Sequence, residues 1–254
     1  MKWQKALTTI AFCLLANTIA AASSDFNLVN KLSNLPRVYT INAGPTWARP
    51  AQLQAFYLDP EDEEAFIPTK VTSLFGNVEL FLGLQDKLKA DYLGQLGVLL
   101  ATTGNVKLQG VIWDEAKEEF DNFVYGYLVK HTEFSLQGKL LRNYYFLNAL
   151  YQPYIAGRVG LGINYAHNYE NAPTIEEAIV LPNFTSKSTL AFTYAVNVGI
   201  QRQLSNILFA GLGYEFSDWG ISRLGRTPYQ EYNTGLTLSH TYTNGLLFHL
   251  SFVI

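Results

Sequence analysis

Cysteine is almost missing from this sequence: Cys13 is the only one in 254 residues, and it sits close to the start. A chain that sheds its first two dozen residues therefore carries no thiol and can enter an oxidising compartment without stray cross-links. Basic charge is also scarce, with 18 lysines and arginines against 21 acidic residues, which excludes bulk electrostatic attraction of nucleic acid. Beyond residue 22 no apolar run approaches the roughly 18 to 20 residues of a membrane-spanning helix. His131, His167 and His240 are too scattered for a metal site of recognisable spacing, and no Pro/Ser-rich linker divides the chain. What is plentiful is tyrosine (16), phenylalanine (16) and glycine (19), a mixture that points to strands.

The N-terminus has the form of a secretory signal. Lys2 and Lys5 precede an apolar run from Ala6 to Ala16, and the small residues Ala20 and Ala22 fit a cleavage site after Ala22. Cys13 lies inside this leader, and Ile10-Ala11-Phe12 lacks the small residue that a lipoprotein signal places before its cysteine. Removing the two leader lysines from the 18 basic residues leaves 16 against 21 acidic ones, a net charge of −5. The expected organisation is a signal peptide over residues 1–22, a short periplasmic segment over 23–36 and one all-β domain over 37–254.

Period-two alternation recurs through that domain. Tyr39, Ile41, Ala43, Pro45 and Trp47 alternate with Thr40, Asn42, Gly44 and Thr46 to make a first strand. Further strands are expected at Val71–Leu84, Lys89–Thr102, Phe123–Lys139, Tyr151–Tyr165, about Phe192–Gln201, Leu208–Ser217 and Thr237 to the end, eight in all. The fourth reads less cleanly and leaves room for a change of face at a bulge in its upper half. Long links at 48–69, 103–122, 166–187 and 218–236 take turns with short ones near 85–88 and 204–206, which matches long surface loops and short turns at opposite ends of a barrel. The 142–149 link is long for a turn.

Alternation alone does not say which face is inside. Here the polar face is built of Gly, Ala, Ser, Thr and Asn with few lysines, and the apolar face is continuous. Small polar residues suit the narrow lumen of an eight-stranded barrel whose greasy side meets lipid. Two levels of aromatic residues fit interface belts: Tyr39, Tyr92, Tyr151, Phe209 and Phe252 at one end, and Trp47, Tyr165, Tyr194, Tyr214 and Tyr242 at the other.

The segment from Leu246 to Ile254 alternates apolar residues, Phe248, Leu250, Phe252 and Ile254, up to the chain end. With the strand pattern it resembles the small outer-membrane barrels of the OmpA/OmpX-like family and their C-terminal insertion signal, although Ile254 stands where that signal usually has an aromatic. The stretches Glu79–Gln85, Lys107–Trp113 and Gly213–Gly220 are similar to barrel proteins of Gram-negative intracellular bacteria. The resemblance covers most of the chain after the leader. It implies an all-β, eight-stranded up-and-down barrel in the cell outer membrane, in contact with outer-membrane lipid and lipopolysaccharide and inserted by the barrel assembly machinery.

Chemistry-bearing residues are few. Glu79, Glu133, Arg158 and Glu215 all fall on the lumen face, where buried charges must pair, with Arg158 and Glu215 the favoured couple. A structural plug is the first reading and an ionic gate for small solutes the second. His249 and Ser251 form an H-x-S pair resembling the catalytic segment of lipid A deacylases, but no acid follows His249 and both point away from lipid. The acidic runs 59–64 and 114–119 match no EF-hand pattern. The expectation is therefore a non-enzymatic surface barrel without cofactor or metal. It would stabilise the envelope or use its four long loops for contact with a host or environmental ligand, with a narrow pore for ions or small solutes as the alternative and a lipid A-modifying enzyme the least favoured.

Overall fold

The structure, a computed structural model, describes residues 34–57, 63–113, 121–176, 182–228, 230 and 234–254. The leader with Ala20 and Ala22 and the acidic runs 59–62 and 114–119 lie outside the described residues. In chain order the strands are β1 (Arg37–Ala48), β2 (Gln54–Tyr57), β3 (Glu63–Pro68), β4 (Ser73–Lys89), β5 (Tyr92–Trp113), β6 (Asp121–Arg142) and β7 (Tyr144–Phe146). They continue with β8 (Ala149–Pro173), β9 (Lys187–Gln203), β10 (Leu208–Asp218), β11 (Ser222–Arg223), β12 (Thr237–Leu238) and β13 (Tyr242–Val253).

Eight of these close a ring: β1, β4, β5, β6, β8, β9, β10 and β13 pair antiparallel in that order, and β13 returns to β1. The seam is complete at the end that the sequence reading assigns to the periplasm, where Arg37 N donates to Ile254 O at 2.6 Å and Ile254 N to Arg37 O at 2.9 Å. Closure leaves the ring without a free strand edge, so its backbone donors and acceptors are satisfied within the wall.

The two faces of the wall carry opposite chemistries. Leu212, Val196 and Phe248 point outward and are 41%, 47% and 62% exposed, whereas Arg158 and Glu215 point inward at 6% and 4%. A water-soluble barrel would bury the first set and hydrate the second. An exterior of Leu, Val, Ile and Phe on every barrel strand is a surface that only hydrocarbon solvates well, so the wall spans a membrane. Tyr39, Tyr92 and Phe252 at the periplasmic rim and Tyr165, Tyr194, Tyr214 and Tyr242 at the outer rim are exposed, as an interface belt requires. Phe209 is the exception: it is buried, because its odd position on β10 places it on the lumen face with Gly211, Gly213 and Glu215.

Of the expected long loops, 103–122 is largely strand and 166–187 begins as strand. β5 runs on to Trp113, β6 starts at Asp121 and β8 reaches Pro173, so these strands stand above the lipid-facing band. β6 keeps its parity throughout, while β5 and β8 each change parity at one extra residue, and on all three the chemistry of each face changes. On β6 the inward residues pass from Leu141 and Lys139 through Gln137, Ser135, Glu133 and His131 to Val129, Tyr127, Tyr125 and Phe123, all buried. The outward residues pass from Leu140, Leu136 and Phe134 to Thr132 and Lys130. The expected switch of face on β6 is therefore absent. Register shifts lie instead on its flanks, between Thr102 and Asn105 on β5 and opposite Gly126–Leu128 on β8, where Asn168 has φ 53°. Each is an extra residue that sharpens the twist of the projecting strands.

Other links carry structure of their own. β2 and β3 form a hairpin that joins the projecting part of β5, and β11 pairs with β12. At the periplasmic end the 142–149 link is a hairpin of β7 on the start of β8, turned by Leu147 and Asn148 with φ 49° and 58°. A two-residue turn with both central residues left-handed matches the twist of its strands, but it is normally made by Asn-Gly. Leucine is costly there, so Leu147→Asn is expected to raise stability by about 0.5–1 kcal/mol and to slow amide exchange of Tyr145. Denaturant unfolding and hydrogen exchange measure both, and a destabilised hairpin would contradict the turn assignment.

Candidate functional site

The lumen is where the strands bring several oppositely charged side chains into contact. Alternation delivers Glu79 from β4, Glu133 from β6, Arg158 from β8 and Glu215 from β10 to one level, all buried. The Arg158 guanidinium holds Glu215 with a two-pronged grip, Nη2 donating to Oε1 at 2.9 Å and Nη1 to Oε2. Nη2 also lies 3.2 Å from Glu79 Oε1, and Nε is 2.5 Å from Glu133 Oε1, a close ion contact outside hydrogen-bond alignment.

Amides complete the shell. Asn42 and Asn77 donate to Glu79 at 2.7 and 3.0 Å, and Asn197 donates to Glu215 at 3.4 Å. One cation thus ties together side chains from β1, β4, β6, β8, β9 and β10 across a space too narrow to hydrate them. Such a cluster is firm only while every charge is partnered. Arg158→Met is expected to cost about 3–5 kcal/mol in denaturant unfolding, with most of it recovered when Glu79, Glu133 and Glu215 are also changed to glutamine. Unchanged stability of the single variant would contradict the cross-link.

Below this level a second polar chain runs toward the periplasmic end. Lys139 Nζ donates to Gln201 Oε1 at 2.9 Å, Gln201 to Gln152 at 2.7 Å and Gln152 to Asn143 at 2.7 Å. His249 Nε2 meets the same Gln201 oxygen at 3.1 Å, and its ring packs edge-on against Tyr154, while Ser251 Oγ shares a hydrogen bond with Thr40 at 2.8 Å. The H-x-S pair is therefore engaged in lumen packing, and its side chains do not reach the lipid face. Apolar patches fill the rest: Val38, Phe81, Leu99 and Ala101 in one cluster, Leu141, Tyr154 and Ala156 in another. A void of about 20 Å³ lined by residues including Phe81, Lys139, Tyr154 and Leu247 has room for a single water.

Above the charge cluster sits a latch that sequence reading did not assemble. The His131 ring stacks on Trp219, with centroids 4.6 Å and planes 4° apart. Asn164 Nδ2 donates to the carbonyl oxygens of Trp219 and Ile221, both at 2.8 Å, so Asn164 Oδ1 is the acceptor for His131 Nδ1 at 2.7 Å. The other ring nitrogen lies 3.3 Å from Glu133, which places latch and charge cluster side by side. Asp218 holds the far end of the segment, accepting from Gly220 N, Thr241 N and His240 Nδ1.

Trp219 is also part of an apolar cap, with Phe66, Phe75, Tyr125, Tyr127, Tyr169, Phe184 and Leu236 among its buried members. Burial pushes the Tyr125, Tyr127 and Tyr169 phenols well above their ordinary range, so the cap carries no tyrosinate charge. The mouth of the barrel is thus closed by a small core of ordinary polarity, apolar inside and polar outside. Asn164→Ala leaves two buried carbonyls without donors, at roughly 1–3 kcal/mol each. It is expected to speed proteolysis within 219–241 while the barrel's unheated gel mobility stays unchanged; unaltered cleavage would contradict the latch.

No protein-family model matches the chain, and no curated protein sequence matches it. Among solved structures it is similar to Neisserial surface protein A, at 8% identity and a TM-score of 0.40 over 85% of this chain and 96% of that one. It is also similar to the outer membrane protease OmpT from Escherichia coli, at 8% and 0.46 over 86% and 97%. A third similarity is to Ail of Yersinia pestis, at 11% and 0.35 over 86% and 99%. These likenesses concern fold alone and are too distant to add to what the closed ring already displays. The fold is the eight-stranded antiparallel barrel of small outer-membrane proteins.

Proposed function

We propose that this outer-membrane barrel is a closed, non-enzymatic envelope protein that holds a rigid cap above the membrane as a contact surface. The observation that carries the reading is the filling of its axis. Apolar clusters, an amide chain, a charge cluster and the Trp219 latch succeed one another from the periplasmic end to the cap. A pore for small solutes needs a continuous wet path. Here the Arg158 side chain is held by three carboxylates from three strands, and the mouth above it is covered by packed aromatics. The H-x-S pair offers nothing to a lipid substrate, because the His249 and Ser251 side chains point into a filled lumen.

A rigid platform suits recognition, because a loop fastened to a core loses little freedom when it binds. Loop-to-loop bonds support that rigidity: Gln54 accepts from Thr237 N at 2.7 Å and Gln52 from Ser239 N at 2.8 Å. Planar-bilayer recording of the full-length protein is expected to give no steady conductance. Stable single-channel steps from the purified barrel would overturn the closed reading and favour the pore.

A further inference from the structure

The outer face of β6 passes through its chemistries in the vertical order in which an outer-leaflet lipid presents its own. Leu136 and Phe134 are exposed and apolar. Next comes Thr132, hydrogen-bonded to Thr102 at 3.2 Å, and then the exposed Lys130, flanked by Asn105 on β5 and Tyr165 on β8. The following outward residue, Leu128, is flanked by Lys107 and His167. Diagonal neighbours on one face of a sheet stand about 7–8 Å apart, so Lys107, Lys130 and His167 form one cluster across three strands. Neither lysine has an ion-pair partner among the described residues, and His167 is held by stacking on Tyr165 at 4.7 Å and by Asn105 at 3.3 Å.

Immediately above this cluster the same three strands enclose a surface groove of about 570 Å³. Lys107 and Leu128 belong to both. Val111, Val124 and Gly126 line the groove together with the amides of Gln109, Asn168 and Asn171, and Glu170 lines it from β8, opposite Gly126. A Cβ at Gly126 would meet nothing closer than Leu108 O at 3.4 Å, an ordinary contact. The bare glycine is thus not forced by the backbone, and it keeps the groove open.

We propose that this face binds the phosphorylated sugar headgroup of an outer-leaflet glycolipid. Lys107, Lys130 and the His167 imidazole grip a phosphate, the amide-lined groove takes the sugar, and the acyl chains lie on Phe134 and Leu136. The lysine stems cover apolar wall while their ammonium groups reach the headgroup level, and charge-assisted bonds to phosphate supply the grip. The inference rests on the outer-membrane placement of the barrel and names a partner for its outer rim.

The test uses full-length protein folded in detergent, titrated with bis-phosphorylated lipid A and read by native mass spectrometry. Heat-dependent gel mobility of each sample reports the folded barrel independently. Wild type and the charge-matched control Arg49→Gln/Lys70→Gln are expected to bind alike, while Lys107→Gln/Lys130→Gln/His167→Gln loses about thirtyfold in affinity. Lys130→Gln alone, which keeps the test decisive if the triple variant does not fold, is expected to lose about fivefold. Gly126→Val, which fills the groove without changing charge, is expected to weaken binding as well. Phosphatidylglycerol should not displace lipid A. Undiminished binding by the charge variants, or displacement by phosphatidylglycerol mole for mole, would overturn the site and leave the barrel standing. Loss of the heat-dependent mobility shift in wild type would overturn the barrel reading itself.

Discussion

Hydrocarbon offers no partner to a peptide group, and that constraint shapes everything else in this chain. A strand that enters lipid must find both of its neighbours, so eight strands close on themselves and β13 must return to β1. Closing so few strands leaves an interior only wide enough for side chains. What the wall projects inward must therefore pack and pair with itself, because water cannot enter in quantity to solvate it. The Arg158 cluster, the glutamine chain below it and the apolar patches between them are answers to one problem, the filling of a narrow tube whose lining alternates with a lipid face.

The same backbone then has to live in a second solvent. β6 leaves the membrane without changing parity, and β5 and β8 each shift by one bulged residue as they leave it, so one strand meets lipid with its outer residues and, a few positions later, water. The requirement reverses at that boundary: inside becomes the dry side. β6 records the reversal residue by residue, from Glu133 and His131 to Val129 and Tyr127 on the inner face and from Phe134 to Lys130 on the outer. Bulges on the flanking strands, at Thr103–Gly104 and around Asn168, bend the projecting strands where the reversal occurs. The cap core above and the charge cluster below are joined at Trp219, His131 and Asn164, which couples the fold of the surface segment to the lumen.

How much of this was legible depended on whether a feature follows from local parity. The membrane-spanning strands are written in alternation, and Glu79, Glu133, Arg158 and Glu215 fall on one face for the same reason. The projecting strands were read as loops because the template expected polar inward residues, while Val106, Leu108, Tyr125 and Tyr127 are apolar and inward. Phe209 was assigned by its nearness to a strand end when its parity already placed it inside. The latch could not be read from spacing, since it needs a loop to fold back onto Asn164, 55 and 57 positions earlier in the chain. The turn at Leu147 carries no Asn-Gly signature and gives no local warning of its conformation.

The central claim is that β6 keeps one phase through two solvents. Nitroxide labels placed singly along residues 124–140, with the protein in lipid vesicles, measure it through collision with oxygen, which concentrates in hydrocarbon, and with a water-soluble nickel chelate. The account predicts oxygen maxima at 134, 136 and 140, nickel maxima at 130, 128 and 126 on the same parity, and low access to both reagents at the odd positions throughout. Oxygen maxima at 131, 133 and 135, or a change of parity between 126 and 134, would contradict it.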